Sequence, residues 1–125
     1  MRVLGRHLIV ELTGCNVKLL DDVAGLGEIC KAAALEAGAT IVETVTHKYA
    51  PQGVSVVVVI AESHLSIHTW PERGYVALDI FTCGQKVDPW KALFYIRSAL
   101  GATGVAANEI KRGIPSEEDE VIPHK

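Results

Sequence analysis

The sequence has no dense cluster of lysines and arginines, and its formal net charge is −3, so a polyanionic partner such as nucleic acid is not expected. No apolar run approaches the length of about 20 residues that a membrane helix needs. The stretch after the charges of Met1-Arg2-Val3-Leu4-Gly5-Arg6-His7 is too short for a secretion signal, and a cytoplasmic protein is expected. Cysteine is scarce: Cys15, Cys30 and Cys83 form an odd set without CxxC spacing, which argues against a disulfide framework or a zinc finger and leaves Cys15 and Cys30 as core residues. There is no G-x-S-x-G elbow of the kind that presents a hydrolase serine. What remains is a chain of 125 residues, 49% hydrophobic and 22% charged, suited to one folded domain over residues 1–115. An acidic tail follows over 116–125, expected to be loose.

The apolar pattern alternates between two periods. His7–Leu12 reads as a strand closed by Thr13-Gly14. Asp21 and Asp22 offer an N-cap to a helix whose buried face is Val23, Leu26, Ile29, Cys30, Ala33, Ala34 and Ala37, with Gly38 at its end. Gly25 and Gly27 sit in its first turns at about 1 kcal/mol each against alanine. Thr40–Tyr49 and Val54–Ile60 read as strands of a hairpin around Pro51-Gln52-Gly53. Ser63–Thr69 and Tyr75–Phe81 read as two more strands. Asp88 and Pro89 start a second helix that ends at Gly101, and Val105–Ile110 reads as a last strand. Tight turns between the middle strands imply an α+β two-layer sandwich: a mostly antiparallel sheet with helices on one face. Val54–Ile60 is apolar on both parities except at Ser55, so the other face of the sheet is expected to meet a second copy, giving a homodimer.

Reactive side chains concentrate between Glu62 and Gly84. Singly they have bland readings: a turn serine, an edge row of histidines, a packing cysteine. A metal reading would use His64, His68 and Cys83 with His47 or Glu72, because imidazole and thiolate suit zinc, but the spacing is no zinc signature and no metal is expected.

Together, Glu62-Ser63-His64-Leu65-Ser66-Ile67-His68-Thr69-Trp70-Pro71-Glu72 and Asp79-Ile80-Phe81-Thr82-Cys83-Gly84 closely resemble the prokaryotic S-adenosylmethionine decarboxylases. The resemblance extends to Gly5-Arg6-His7, the strand ending in His47-Lys48-Tyr49, the turn Pro51-Gln52-Gly53-Val54-Ser55, and Asp88-Pro89. It implies a proenzyme that cleaves itself between Glu62 and Ser63 into a β chain, 1–62, and an α chain, 63–125, with Ser63 becoming a covalent pyruvoyl cofactor. It implies that Ser55 stabilises the processing intermediate, that His68 is the proton acceptor in processing, and that Cys83 is the proton donor in catalysis. By the same resemblance the pyruvoyl ketone forms a Schiff base with the amine of S-adenosylmethionine and accepts the electrons left by CO2. Glu72 would bind ribose hydroxyls and Tyr49 would stack on adenine. The product would be the aminopropyl donor for spermidine synthesis. Tyr49 stands where phenylalanine is familiar, Val56 where glycine is, and Arg73 follows the acid. Pyruvoyl-dependent arginine or ornithine decarboxylases of the same fold are an alternative, as is a non-enzymatic α+β regulatory or binding module that never self-processes. Counted along an unbroken strand, Ser63 and His68 fall on opposite faces, so a bulge or bend near Ser63 is expected.

Overall fold

The computed structural model describes residues 3–113. In chain order they form β1 (Gly5–Thr13), α1 (Val23–Glu36), β2 (Ile41–Lys48), β3 (Val54–Ile60), β4 (Ser63–Trp70), β5 (Tyr75–Cys83), α2 (Pro89–Leu100) and β6 (Gly104–Arg112). The six strands make one sheet in the order β2-β3-β4-β5-β1-β6, with every neighbouring pair antiparallel. The expected α+β sandwich is therefore present, and its strands are antiparallel throughout. The acidic tail expected over 116–125 lies outside the described residues.

Local chemistry explains the element boundaries. Asp22 caps α1 by accepting from the Gly25 amide at 3.0 Å. A Cβ on Gly25 would collide with that same carboxylate, which accounts for a glycine in a helix's first turn. Asp88 caps α2 through the Trp90 amide at 3.0 Å, Pro89 takes the first turn, and Gly101 ends the helix at φ 64°. The last strand runs longer than its apolar stretch because it pairs with β1 along the whole of that strand, from Gly104 opposite Thr13 to Arg112 opposite Gly5.

Alternation then decides what is buried. On β3, Val54, Val56, Val58 and Ile60 point under the helices while Ser55, Val57 and Val59 stay half-buried on the far face. Leu8, Val10 and Leu12 of β1, Leu65 and Ile67 of β4, and Val76, Leu78 and Ile80 of β5 complete the sheet side of the core. Leu26 and Cys30 of α1 and Leu93, Ile96 and Leu100 of α2 close it from above. Burial in this apolar setting pushes the Cys30 thiol up to about 12, so it serves as a small hydrophobe. The opposite face carries no helix, and Ile9, Val45, Tyr49, Trp70 and Ile110 are exposed on it or at its rim.

At the end of β1, Gly5 stands opposite Cys83. A Cβ there would lie 2.7 Å from both Phe81 Cε1 and the Thr82 carbonyl oxygen, and the carbonyl cannot give way without moving β5. Gly5→Ala is expected to destabilise the fold by about 1–3 kcal/mol, lowering the thermal midpoint by about 3 °C or more. A midpoint equal to that of the unsubstituted chain would show that β1 has room there.

Candidate functional site

β3 and β4 are joined by a two-residue turn, Ala61-Glu62, with Ile60 and Ser63 paired across it. This turn is tied down on several sides. The Ala61 amide donates to the Thr40 carbonyl at 2.8 Å, and the Thr40 amide donates to Glu62 Oε1 at 3.1 Å. Lys86 Nζ lies 3.9 Å from Glu62 Oε2. The Cys83 amide donates to the Glu62 carbonyl at 2.8 Å. Ser63 then begins β4 at φ 140°, the one non-glycine residue with positive φ among those described. Such a backbone costs of order 1–3 kcal/mol and persists only where its surroundings impose it. Here the surroundings hold both sides of the Glu62–Ser63 peptide bond. The backbone is irregular at Ser63 itself, while the pairing of β4 with β3 from Ser63 to His68 runs without a bulge.

The other end of β4 builds a second group. Ser55 and His68 face each other across β3 and β4, and Ser55 Oγ lies 2.7 Å from His68 Nδ1. The Tyr49 hydroxyl lies 3.1 Å from the same Oγ, so phenol, hydroxyl and imidazole form a chain. These residues, with Gln52, Gly53, Trp70 and Glu72, line an open cleft of about 320 Å³. The cleft wall is braced from behind. Asp21 accepts from the Gly53 amide at 2.8 Å and pairs with Lys48 at 2.9 Å, contacts that hold its carboxyl below the usual range. The buried Thr69 hydroxyl accepts from the Val54 amide and donates to the Leu20 carbonyl. Trp70, Asp21 and Thr69 were not singled out by motif reasoning; only the aromatic in the cleft could have been suspected from sequence.

Sequence reasoning thus named two groups that one chain does not bring together. Ser63 and Cys83 lie at one end of the sheet, and Ser55, His68, Tyr49 and Glu72 at the other. Five steps along the strand lead from Ser63 to His68, roughly 16 Å at 3.3 Å per residue.

A third cluster occupies the helix-free face between them. His7 Nε2 and His64 Nε2 each lie 2.8 Å from Asp79 Oδ2, and Ser66 donates to Asp79 Oδ1. His64 thus turns to Asp79, and the His64, His68 and Cys83 set weighed from sequence as metal ligands does not converge; among the described residues, His7, His64 and Asp79 are the ones placed closely enough to share an ion. Their present bonding is that of a satisfied network. Arg112 Nη1 lies 3.2 Å from His7 Nδ1 and can only donate, so His7 must carry its proton on Nε2 and give it to Asp79. Burial pushes the Asp79 carboxyl up, but the hydrogen bonds from Ser66, His64 and His7 outweigh it and hold the group below its ordinary value.

Comparison with known proteins places the chain in a family and its fold beside a solved structure. The family model described as S-adenosylmethionine decarboxylase matches residues 6–113. The S-adenosylmethionine decarboxylase proenzyme of Carboxydothermus hydrogenoformans is 57% identical over 118 residues, covering 94% of this chain and 93% of its own. That of Moorella thermoacetica is 55% identical, covering 91% of each. The crystal structure of the adenosylmethionine decarboxylase from Aquifex aeolicus superposes with a TM-score of 0.87 at 32% identity, covering 94% of this chain and 97% of that one.

Asp79 gives the site an acid-sensitive element whose sign is fixed. Its folded pKa lies below the unfolded value near 3.9, so its contribution is present above that value and is lost as pH falls through the folded one. Asp79→Asn is expected to cost about 1–3 kcal/mol at neutral pH. It should also flatten the fall in stability as pH drops below the unfolded carboxyl value near 3.9. Urea melts at several pH values measure both, and an acid limb as steep as in the unsubstituted chain would remove Asp79 from the account.

Proposed function

Because this chain belongs to the S-adenosylmethionine decarboxylase family, we propose that it matures by cutting itself at Glu62–Ser63 and then decarboxylates S-adenosylmethionine. The observation that carries this reading is the Glu62–Ser63 peptide itself. Its carbonyl is held on the Cys83 amide, and its serine is held at a strained φ. A carbonyl polarised by a fixed N–H is prepared for attack by the adjoining hydroxyl, because the same donor stabilises the oxyanion that attack creates. Ser63 Oγ bonds to the Glu62 carbonyl carbon, the carbon–nitrogen bond breaks, and the hydroxyl proton passes to the nitrogen, leaving an ester. His68 then takes the α-proton of residue 63, and the Glu62 carboxylate leaves from Cβ. The resulting enamine tautomerises and consumes one water, releasing ammonia and leaving a ketone at position 63. Ser55, bonded to His68 Nδ1, orients the imidazole and supplies a hydroxyl to the tetrahedral intermediate.

Position 63 fits the pyruvoyl group on the same observation, since its backbone is already held at a positive φ beside a fixed carbonyl. The pyruvoyl group supplies an electron sink for the decarboxylation. This chain's own residues do the rest. Glu72 accepts from the ribose hydroxyls, Tyr49 offers its ring to the adenine, and Cys83 gives a proton to the α-carbon after CO2 leaves. The β chain, 1–62, and the α chain, 63–125, stay joined because β3 and β4 pair across the cut, and Glu62 keeps its contacts to Thr40 and Cys83. Decarboxylated S-adenosylmethionine then serves spermidine synthesis.

The separation of about 16 Å between Ser63 and His68 supports a site completed by a second chain. The helix-free face is where the completing groups come from. It is open, carries Ile9, Val45 and Ile110 exposed, and has Cys83, on the strand next to Ser63, toward one end and His68 and Ser55 toward the other. A two-fold pairing of such faces brings the Ser63 end of one protomer to the His68 end of its partner, making two sites per homodimer. Among the described residues no helix is long and apolar enough to cross a membrane.

Two dead variants test both halves of the reading. Ser63→Ala alone and His68→Ala alone should each remain uncleaved by intact-mass measurement. Co-expressed with distinguishable tags, they should form mixed dimers in which the His68→Ala chain, and only that chain, is cleaved after residue 62. Cleavage of His68→Ala by itself, or none in the mixed dimer, would contradict the shared site. Absence of any cleavage in the unsubstituted chain would contradict the self-processing reading altogether.

A further inference from the structure

The inference concerns Thr82, and it rests on the reading of Ser63 as a self-cleaving residue. Along β5 the side chains under the helices are Val76, Leu78, Ile80 and Thr82, three hydrocarbons and one hydroxyl. Thr82 has no exposed surface, and its Oγ1 is the one buried side-chain polar atom, among the described residues, that no group bonds. A buried hydroxyl without a partner costs roughly 1–3 kcal/mol. Valine has the same shape and would spare the fold that cost, so folding alone does not explain threonine. The neighbouring cation offers no explanation either: Arg6, opposite Thr82 on β1, is engaged with Glu109 at 2.8 Å.

Position 82 is defined by its partner on the other side, which is Ser63. The Cys83 amide bonds the Glu62 carbonyl, so residues 62 and 83 occupy a hydrogen-bonded rung. Residues 63 and 82 then fall on the next, non-hydrogen-bonded rung, where opposed Cα atoms come to about 4.5 Å and side chains lie closest. The unpartnered hydroxyl is therefore placed beside the residue at which cleavage makes new polar groups. We propose that Thr82 is a positioning residue for self-processing, whose hydroxyl receives its partner only when the Glu62–Ser63 amide is broken. In the acyl shift the carbon–nitrogen bond breaks as the carbon–oxygen bond forms, and the hydroxyl proton goes to nitrogen. The planar amide nitrogen, which has no lone pair to offer, becomes an amine that has one. Thr82 Oγ1–H donates to that lone pair, which favours the ester and hinders the amine from attacking it to restore the amide.

The two effects of removing the hydroxyl have opposite signs, and that separates this role from a packing role. In the full-length chain, Thr82→Val should keep or raise the thermal midpoint while slowing cleavage roughly 3- to 10-fold. It should also lower the fraction of precursor cut by hydroxylamine, which splits esters and spares amides. Thr82→Ser, which retains the hydroxyl, should cleave near the unsubstituted rate. Cleavage of Thr82→Val at the unsubstituted rate would overturn the proposal. So would a loss of midpoint and of cleavage shared by both variants, which assigns Thr82 to packing. If the unsubstituted chain cleaves and Thr82→Val matches it, only this inference fails. If the unsubstituted chain never cleaves, the reading of Ser63 fails and this inference with it.

Discussion

The hydrogen bond of 2.8 Å from the Cys83 amide to the Glu62 carbonyl fixes more of this molecule than its size suggests. It joins the turn between β3 and β4 to the end of β5, two places 21 residues apart in sequence, and continues the β4–β5 register by one rung beyond Ser63 and Thr82. At the same end of β5, Gly5, with no side chain, lies against Phe81 and the Thr82 carbonyl. The hydrogen bond also leaves Ser63 to absorb the mismatch between a tight turn and a straight strand, at φ 140°. One backbone contact thus orients a carbonyl and strains the serine that follows it, and both effects favour the same bond rearrangement.

The second constraint is length. A strand residue advances about 3.3 Å, so no rotamer of His68 reaches a residue five positions away. Under the proposed two-fold pairing, what looks within one chain like a dispersed set of functional groups would become two half-sites at the ends of an open sheet face. That face is apolar at Ile9, Val45 and Ile110, with Asp79, His7 and His64 satisfying one another near its middle. A closed polar network is what a buried interface tolerates; an unpaired carboxylate there would be costly.

Much of the architecture is legible in the sequence because it is local. Asp88-Pro89 and Gly101 bound α2 by capping chemistry, and the alternation in Val54–Ile60 separates Ser55 from the core residues beside it. The parity conflict between Ser63 and His68 is also readable, and the positive φ falls at Ser63 while the register between the two residues stays unbroken. Distance was not readable, because it depends on which strands pair and in what register. The same limit hid Asp79, whose partner His7 is 72 residues away, and it hid the role of Cys83's backbone. Motif reasoning attends to the thiol, whereas the contact that holds the turn is made by an amide that any residue but proline could supply. Thr82, an ordinary β-branched strand residue by sequence, stands out only when its burial and its missing partner are known.

The central claim, that the cleaving site is shared between two chains, is tested most directly by the concentration dependence of cleavage. Unfolded precursor would be refolded over a hundredfold range of protein concentration and the cleaved fraction followed by intact mass. A rate that rises with concentration and levels off once the chain is dimeric, with the midpoint matching that of dimer formation by analytical ultracentrifugation, is the predicted result. A rate independent of concentration, reached while the protein is still monomeric, would mean that one chain carries out the whole reaction and would contradict the account.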